Sequence, residues 1–407
     1  MASKDLDRLL TLLATTDHKE AVPLFDKVIQ DPATAGPILV ELVGTASNHD
    51  DPQLHTPHGL LTMVAGRDLL RLTRPPGGLG LLRFLVLYNF TLQRRPFSEP
   101  AAAAMARSVP PAPAEELGGA YARAVAGGLG EQAASLMGRL ATDAGFEAVA
   151  HLALRTSLAD LGRLGHNLVT AASYVEAAET VARGRDLVPL MNLARLQAFS
   201  LQGVKAPNIP ERGDAGDAKA DVSWLGELVV EGAFDQVEAV LQALAFSGQA
   251  EDAYRPLLVA TSADPGFLGH SLSLVHAARS VSRFLTPSEN TWLSWKLYRT
   301  LTTRFGYPDF LTLGNPEAID RSTLLTALES SLRDRSPPAE RTIRQALENG
   351  ILVDELLATI VNFYGHWTVG EKEHTISYLN AALQTAKFLG RDEALLPLVI
   401  ALGKLPF

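Results

Sequence analysis

The chain has 407 residues, of which 47 % are hydrophobic and 20 % charged, enough apolar material for a large core and too much for wholesale disorder. Its 36 basic residues against 45 acidic ones leave a net charge of −9, which repels nucleic-acid phosphates and anionic lipid heads, so neither nucleic acid nor a membrane surface is an expected partner. There is no cysteine; disulfides, zinc knuckles, iron–sulfur clusters and a thiol nucleophile are excluded together, and any metal must be held by His, carboxylate or Lys.

The opening residues turn charged at once and carry no apolar leader. No run approaches the roughly 18 to 20 apolar residues that a transmembrane helix needs, so a cytoplasmic protein is expected. Ala, Leu, Arg and Glu then recur at three-and-four spacing over most of the length, while alternating Val/Ile/Thr runs are nearly absent, which predicts an all-α fold. Gly and Pro cluster at 75–78, at 110–113 and at 205–221. The last cluster, KAPNIPERGDAGDAKAD, is polar and lies near the midpoint. It predicts a linker loop between an N-terminal half, 1–204, and a C-terminal half, 222–407, the two forming one compact unit.

The halves repeat internally. DLGRLGH ends at His166 and DPGFLGH at His270, both reading Asp-x-Gly-x-Leu-Gly-His at a step of 104 residues. The same step forward reaches His374, and nearly the same step back reaches His58. The flanks agree: Leu60, Leu168, Leu272 and Ile376 follow each His by two, and Ala65, Ser173, Ala277 and Ala381 by seven. Glu147, Glu251 and Glu355 stand equally far ahead of theirs, and Gly-Arg-Asp recurs at 184–186 and 390–392. The expected architecture is an internally duplicated multi-helix domain with pseudo-symmetric halves, each made of two related helical quarters. Each quarter has a helix near its Glu, a Gly-containing turn, a helix starting at the marked His, and a further helix.

Positions three, four and seven beyond each His share its helical face. They include Thr62, Ala65, Thr170, Ser173, Ser273, Ala277, Ser377 and Ala381, small or hydroxyl-bearing types that leave room for a ligand beside the imidazoles. Quarters related by pseudo-symmetry bring equivalent residues around one axis. His58, His166, His270 and His374 can then converge as neutral imidazole ligands of a transition metal. The competing reading is that each His satisfies a local backbone group in a repeat that happens to contain it.

Other candidates read more simply. The repeated Glu is about 18 Å of helix away from its His and suits a helix start electrostatically. Asp160 and Asp264, in the turns, either cap the following helix or orient an imidazole. His151 is four residues from Glu147, a ligand-like spacing without repetition elsewhere; His55 and His366 lie in turns near a marked His; His276 is expected on a different helical face; His18 and His49 are expected in solvent. Trp292, Trp295 and Tyr298 form a stripe that reads as core. There is no Walker loop, dinucleotide fingerprint or nucleophile elbow.

An all-helical chain of this length, with HGLLTMVAGRDLL at His58 and EHTISYLNAALQTAKFLG around His374, resembles the questin oxidase-like proteins. The resemblance implies oxidative ring opening of an aromatic polyketide-like, apolar small molecule with dioxygen, on a non-haem iron held by several histidines and a carboxylated lysine. Carried onto this sequence, it falls on His58, His166, His270 and His374, with Lys372 as the lysine and Lys296 or Lys387 as alternatives. Two other readings compete with an iron-dependent oxygenase. One is a non-catalytic helical-repeat scaffold whose open concave face binds a protein partner. The other is a haem-binding helical protein with His pairs as axial ligands, although no attachment motif is present. The enzyme reading predicts that the fourth quarter returns to the first and closes a ring.

Overall fold

The computed structural model describes the chain except residues 1, 16–17, 49–57, 74–77, 182–185, 212–217, 267–268, 302–312, 315–318, 335–337, 365–371, 392 and 404–407. Among the described residues the protein is all-α, twenty-one α-helices joined by turns and single-turn 3₁₀ segments, without a strand. One hydrophobic cluster runs from Leu9 to Leu398 through both halves. No helix among the described residues is long and apolar enough to cross a membrane.

Four times the chain makes a helix, a helix carrying the marked His in its first turn, and a further helix. The sets are Ala35–Ala46, His58–Arg71 and Leu79–Asn89; Phe146–Ser157, His166–Thr180 and Leu187–Ser200; Arg255–Ala263, His270–Val281 and Pro287–Leu301; and Val353–Tyr364, Lys372–Leu389 and Leu395–Gly403. Between the halves, the described residues from 201 to 221 form no helix. Asp221 then starts the next one, Val222–Glu231, by accepting the N–H groups of Ser223 and Trp224. The halves differ in their middle. Three helices lie between Leu79–Asn89 and Phe146–Ser157, whereas between Pro287–Leu301 and Val353–Tyr364 the described residues show two, Arg321–Asp334 and Pro338–Glu348.

The four His-bearing helices lie at the centre; we term them the first to fourth axial helices. Each packs on the next, and the fourth packs back on the first. Their contacts show a parallel arrangement. His166 meets His270, Ser280 donates to Glu176, and Arg283 pairs with Glu179, all at a separation of 104 residues. Near the first helix, His58 meets His166 while Arg67 reaches Glu176. The first axial helix is buried without interruption from His58 to Arg67, as expected of a helix wrapped on all sides.

Glycines permit this close approach. Gly165 and Gly269 cap the second and third axial helices with φ of 77° and 80°, the left-handed region that an L side chain resists. A Cβ on Gly165 would stand 2.6 Å from Leu274, and one on Gly269 would stand 2.0 Å from Tyr378. Leu274 and Tyr378 occupy the same position on successive axial helices. The glycine of the repeated Leu-Gly-His therefore marks a contact between neighbouring quarters.

Candidate metal centre

Helices that run parallel around one axis set equivalent side chains at equal height. The first turns bring three imidazoles to one end. His58 is buried and meets His166 edge-on, ring centres 6.1 Å apart, while His166 and His270 are 4.9 Å apart by ring centres. The Nε2 atoms of His166 and His270 approach to 3.0 Å. Between neutral rings this is a hydrogen bond, one Nε2–H donating to the lone pair of the other. The fourth axial helix carries His374 and Lys372 in its first turn, and the side chains of both lie outside the described residues. Among the described residues no three His or carboxylate side chains already stand close enough to hold a metal ion together.

The donors nevertheless fit a transition metal. Two bonds of about 2.1 Å meeting at a right angle set their nitrogens about 3.0 Å apart, the separation that His166 and His270 already have. Three or four neutral imidazoles suit iron, zinc, copper or nickel. Parallel axial helices also point their N-termini, and so their partial positive charges, at this end. A cation here calls for a negative ligand to offset them.

Other sequence candidates fall into structural roles. Asp160 Oδ1 accepts the Gly162 N–H at 2.8 Å and its Oδ2 accepts from Asn167 at 3.3 Å. Asp264 Oδ1 accepts the Gly266 N–H at 3.3 Å. The repeated Asp-x-Gly is thus a side-chain-closed turn ahead of the axial helix. Glu251 pairs with Arg279 and Glu355 with Arg321, while Glu147 sits in a first helical turn. Lys296 lies over Trp292 and Lys387 is 3.9 Å from Asp354, so both are engaged elsewhere. Tyr298 is fully buried and donates to the Ala253 carbonyl, as a core residue should. His55, His366 and His49 lie outside the described residues, as does the side chain of His18.

Two histidines had roles that their own helix did not disclose. His151 reaches across to the buried Glu289, Nε2 to Oε2 2.8 Å, and Arg155 approaches the other oxygen at 3.0 Å. Glu289 also accepts the Thr286 N–H while Thr286 Oγ1 accepts that of Glu289, a reciprocal cap on Pro287–Leu301. Burial works to raise the Glu289 pKa, but the His151 bond, the Thr286 N–H and the His151 and Arg155 charges outweigh it and hold the group below its ordinary range.

His276 was expected away from the axis and instead lines it. A cavity of about 50 Å³ runs along the axis beyond the imidazoles. Its walls are the residues three, six and seven positions beyond each marked His, with those ten beyond in the first three quarters, one broad face of each axial helix. Ala65, Ser173, Ala277 and Ala381 all border it, as does His276. At its far end stand Asp68, Glu176 and Ser280.

A larger cavity, about 590 Å³, opens elsewhere, lined among others by Glu41, Asn48, Arg94, Phe97 and Val181. Val181 follows the last turn of the second axial helix, so this cavity lies about 22 Å along that helix from His166. Compared with family models, with curated proteins and with solved structures, the chain shows no match.

Proposed function

We propose that this protein is a cytoplasmic, non-haem iron-dependent oxidoreductase that uses dioxygen on an apolar, aromatic polyketide-like small molecule, with His58, His166, His270 and His374 as metal ligands. The observation that carries the reading is the closed ring of parallel axial helices, which gathers the marked positions of all quarters at one end and sets the His166 and His270 nitrogens 3.0 Å apart. A carboxylated Lys372 completes the proposed ligand set. Iron held by neutral imidazoles with open positions supplies oxygen activation. The chain's own residues hold the ring nitrogens in place, through helix caps at Gly165 and Gly269 and turns closed by Asp160 and Asp264. A scaffold with an open concave face accords less well, because the fourth axial helix packs on the first and closes the inner surface.

Elemental analysis of protein purified from iron-supplemented cells tests this directly. About one metal atom per chain is expected, with loss of metal in each single His→Ala variant at the four positions. Metal content far below one atom per chain, or full occupancy in two of those variants, overturns the site. Oxygen consumption with a panel of aromatic polyketides then tests the substrate class.

A further inference from the structure

Away from the axis, the helix Val222–Glu231 presents a side that the described residues of this chain leave open. Leu225, Leu228 and Val229 are buried and fasten it to the C-terminal half. Val222, Gly226 and Val230 follow at four-residue spacing as a separate ridge, with Glu227 and Glu231 on the ridge beside it. These residues wall a groove of about 460 Å³, and Val230 in it is 58 % exposed. Across the groove stand Pro256 and the pair Arg255–Glu393. Arg255 Nε donates to Glu393 Oε2 at 2.7 Å and Nη2 to the Leu389 carbonyl, so this cation is already committed.

Two features of the groove cost stability without serving the fold. Glycine weakens a helix interior, yet a Cβ on Gly226 would meet nothing within 4 Å, so packing within this chain does not require its absence. Its effect is outward: a second surface can approach the helix backbone closely there. Glu227 and Glu231, one turn apart and exposed, repel each other along the helix. Among the described residues neither is in an ion pair. With Glu393, the groove sets three carboxylates against one guanidinium.

We propose that this groove docks an amphipathic helix of a partner protein, whose apolar side chains lie over Gly226 between Val222 and Val230 while its Lys or Arg side chains face Glu227 and Glu231. An apolar helix face in a groove supplies the area, and the charge fixes which helices fit. A second copy of this chain meeting the same face across a two-fold axis would set acidic ridge against acidic ridge. Docking here needs no metal at the histidine end.

The probe is a synthetic Leu/Lys peptide of about 18 residues, long enough to form an amphipathic helix. It is titrated into the full-length protein by fluorescence anisotropy, beside a Leu/Glu peptide with the same apolar pattern. Saturable one-to-one binding of the Leu/Lys peptide is expected, at least about tenfold tighter than that of its counterpart. Gly226→Gln, Val230→Gln and the double change Glu227→Lys with Glu231→Lys should each weaken it about tenfold or more. Gly226→Gln should melt no lower than the wild type, since glutamine is the better helix former and meets open space. Glu115→Lys with Glu116→Lys, exposed on a helix of the other half, alters net charge equally and should change binding by less than about twofold. Equal weakening by that control marks attraction to net charge alone and overturns the proposal. So does unchanged binding in Gly226→Gln and Val230→Gln, or no binding by the wild type. Sedimentation of the peptide-free protein tests the other occupant: an oligomeric state that Gly226→Gln leaves unchanged is expected, and a dimer that this change dissociates makes the face a self-interface and overturns the partner helix.

Discussion

Replacing Arg67 by Met tests how the far end of the axis is held. Arg67 is 7 % exposed and bridges Asp68 and Glu176, at 2.7 and 3.0 Å, while also donating to the Glu176 carbonyl and to Thr180. Methionine keeps much of the stem's packing and removes the charge. Asp68 retains Arg71, so the uncompensated group is Glu176. Removing one partner of a buried pair costs about 3–5 kcal/mol when the other stays charged. Once Glu176 is protonated, what remains is the loss of ordinary hydrogen bonds, about 1–2 kcal/mol. The native Glu176 pKa is already raised above its unfolded value of 4.5, and losing Arg67 raises it further. A carboxyl of that kind adds stability below its unfolded pKa and loses it as pH rises through the folded one. The variant's deficit should therefore grow from about 1–2 kcal/mol near pH 5 to about 3–5 kcal/mol near pH 8. Urea unfolding followed by circular dichroism at both pH values measures it. A deficit that is equal at both, or smaller at pH 8, would refute the assignment of Glu176 as the stranded charge.

Glu289→Gln should lower stability by about 1–3 kcal/mol near neutral pH. Because the native carboxylate pKa is depressed, its contribution is present above the unfolded pKa and fades as pH falls, so wild type and variant should converge in acid unfolding curves. Gly269→Ala should be the most damaging change of a single hydrogen to a methyl group, since it meets the Tyr378 ring and a left-handed φ; Gly165→Ala meets the more adaptable Leu274 and should shift the melting temperature less. Ala277→Leu should abolish metal-dependent oxygen consumption at a smaller cost in melting temperature, and equal losses of both would mark an ordinary packed position.

Much of the axis could be read before the structure. The 104-residue step between His166 and His270 is also the separation of the pairs Glu176–Ser280 and Glu179–Arg283. Parallel helices around an axis turn equal sequence steps into direct contacts, so a repeat in the sequence becomes a neighbour in space. The small residue seven beyond each His marked the cavity for the same reason. His276 escaped because a helical wheel drawn from the histidine puts it off-face, whereas a seam wall spans a wider arc than one ridge. The ties of Arg67 to Glu176 and of His151 to Glu289 escaped because each partner lies on another helix and neither pair recurs among the quarters. The 590 Å³ cavity draws its walls from several helices and turns scattered over the first half, so no local spacing marks it.

Closure of the ring also fixes an order of assembly. The first axial helix, buried from His58 to Arg67, has its final neighbour in the fourth, which the ribosome delivers only after the second and third. Until then the nascent chain must carry an unfinished seam, a long-range contact of the kind that slows folding and leaves apolar surface open to misassociation. A chain that stopped before Lys372 would lack more than one histidine: the seam itself would gape, and chaperone dependence of newly made protein should fall only when the final quarter is complete.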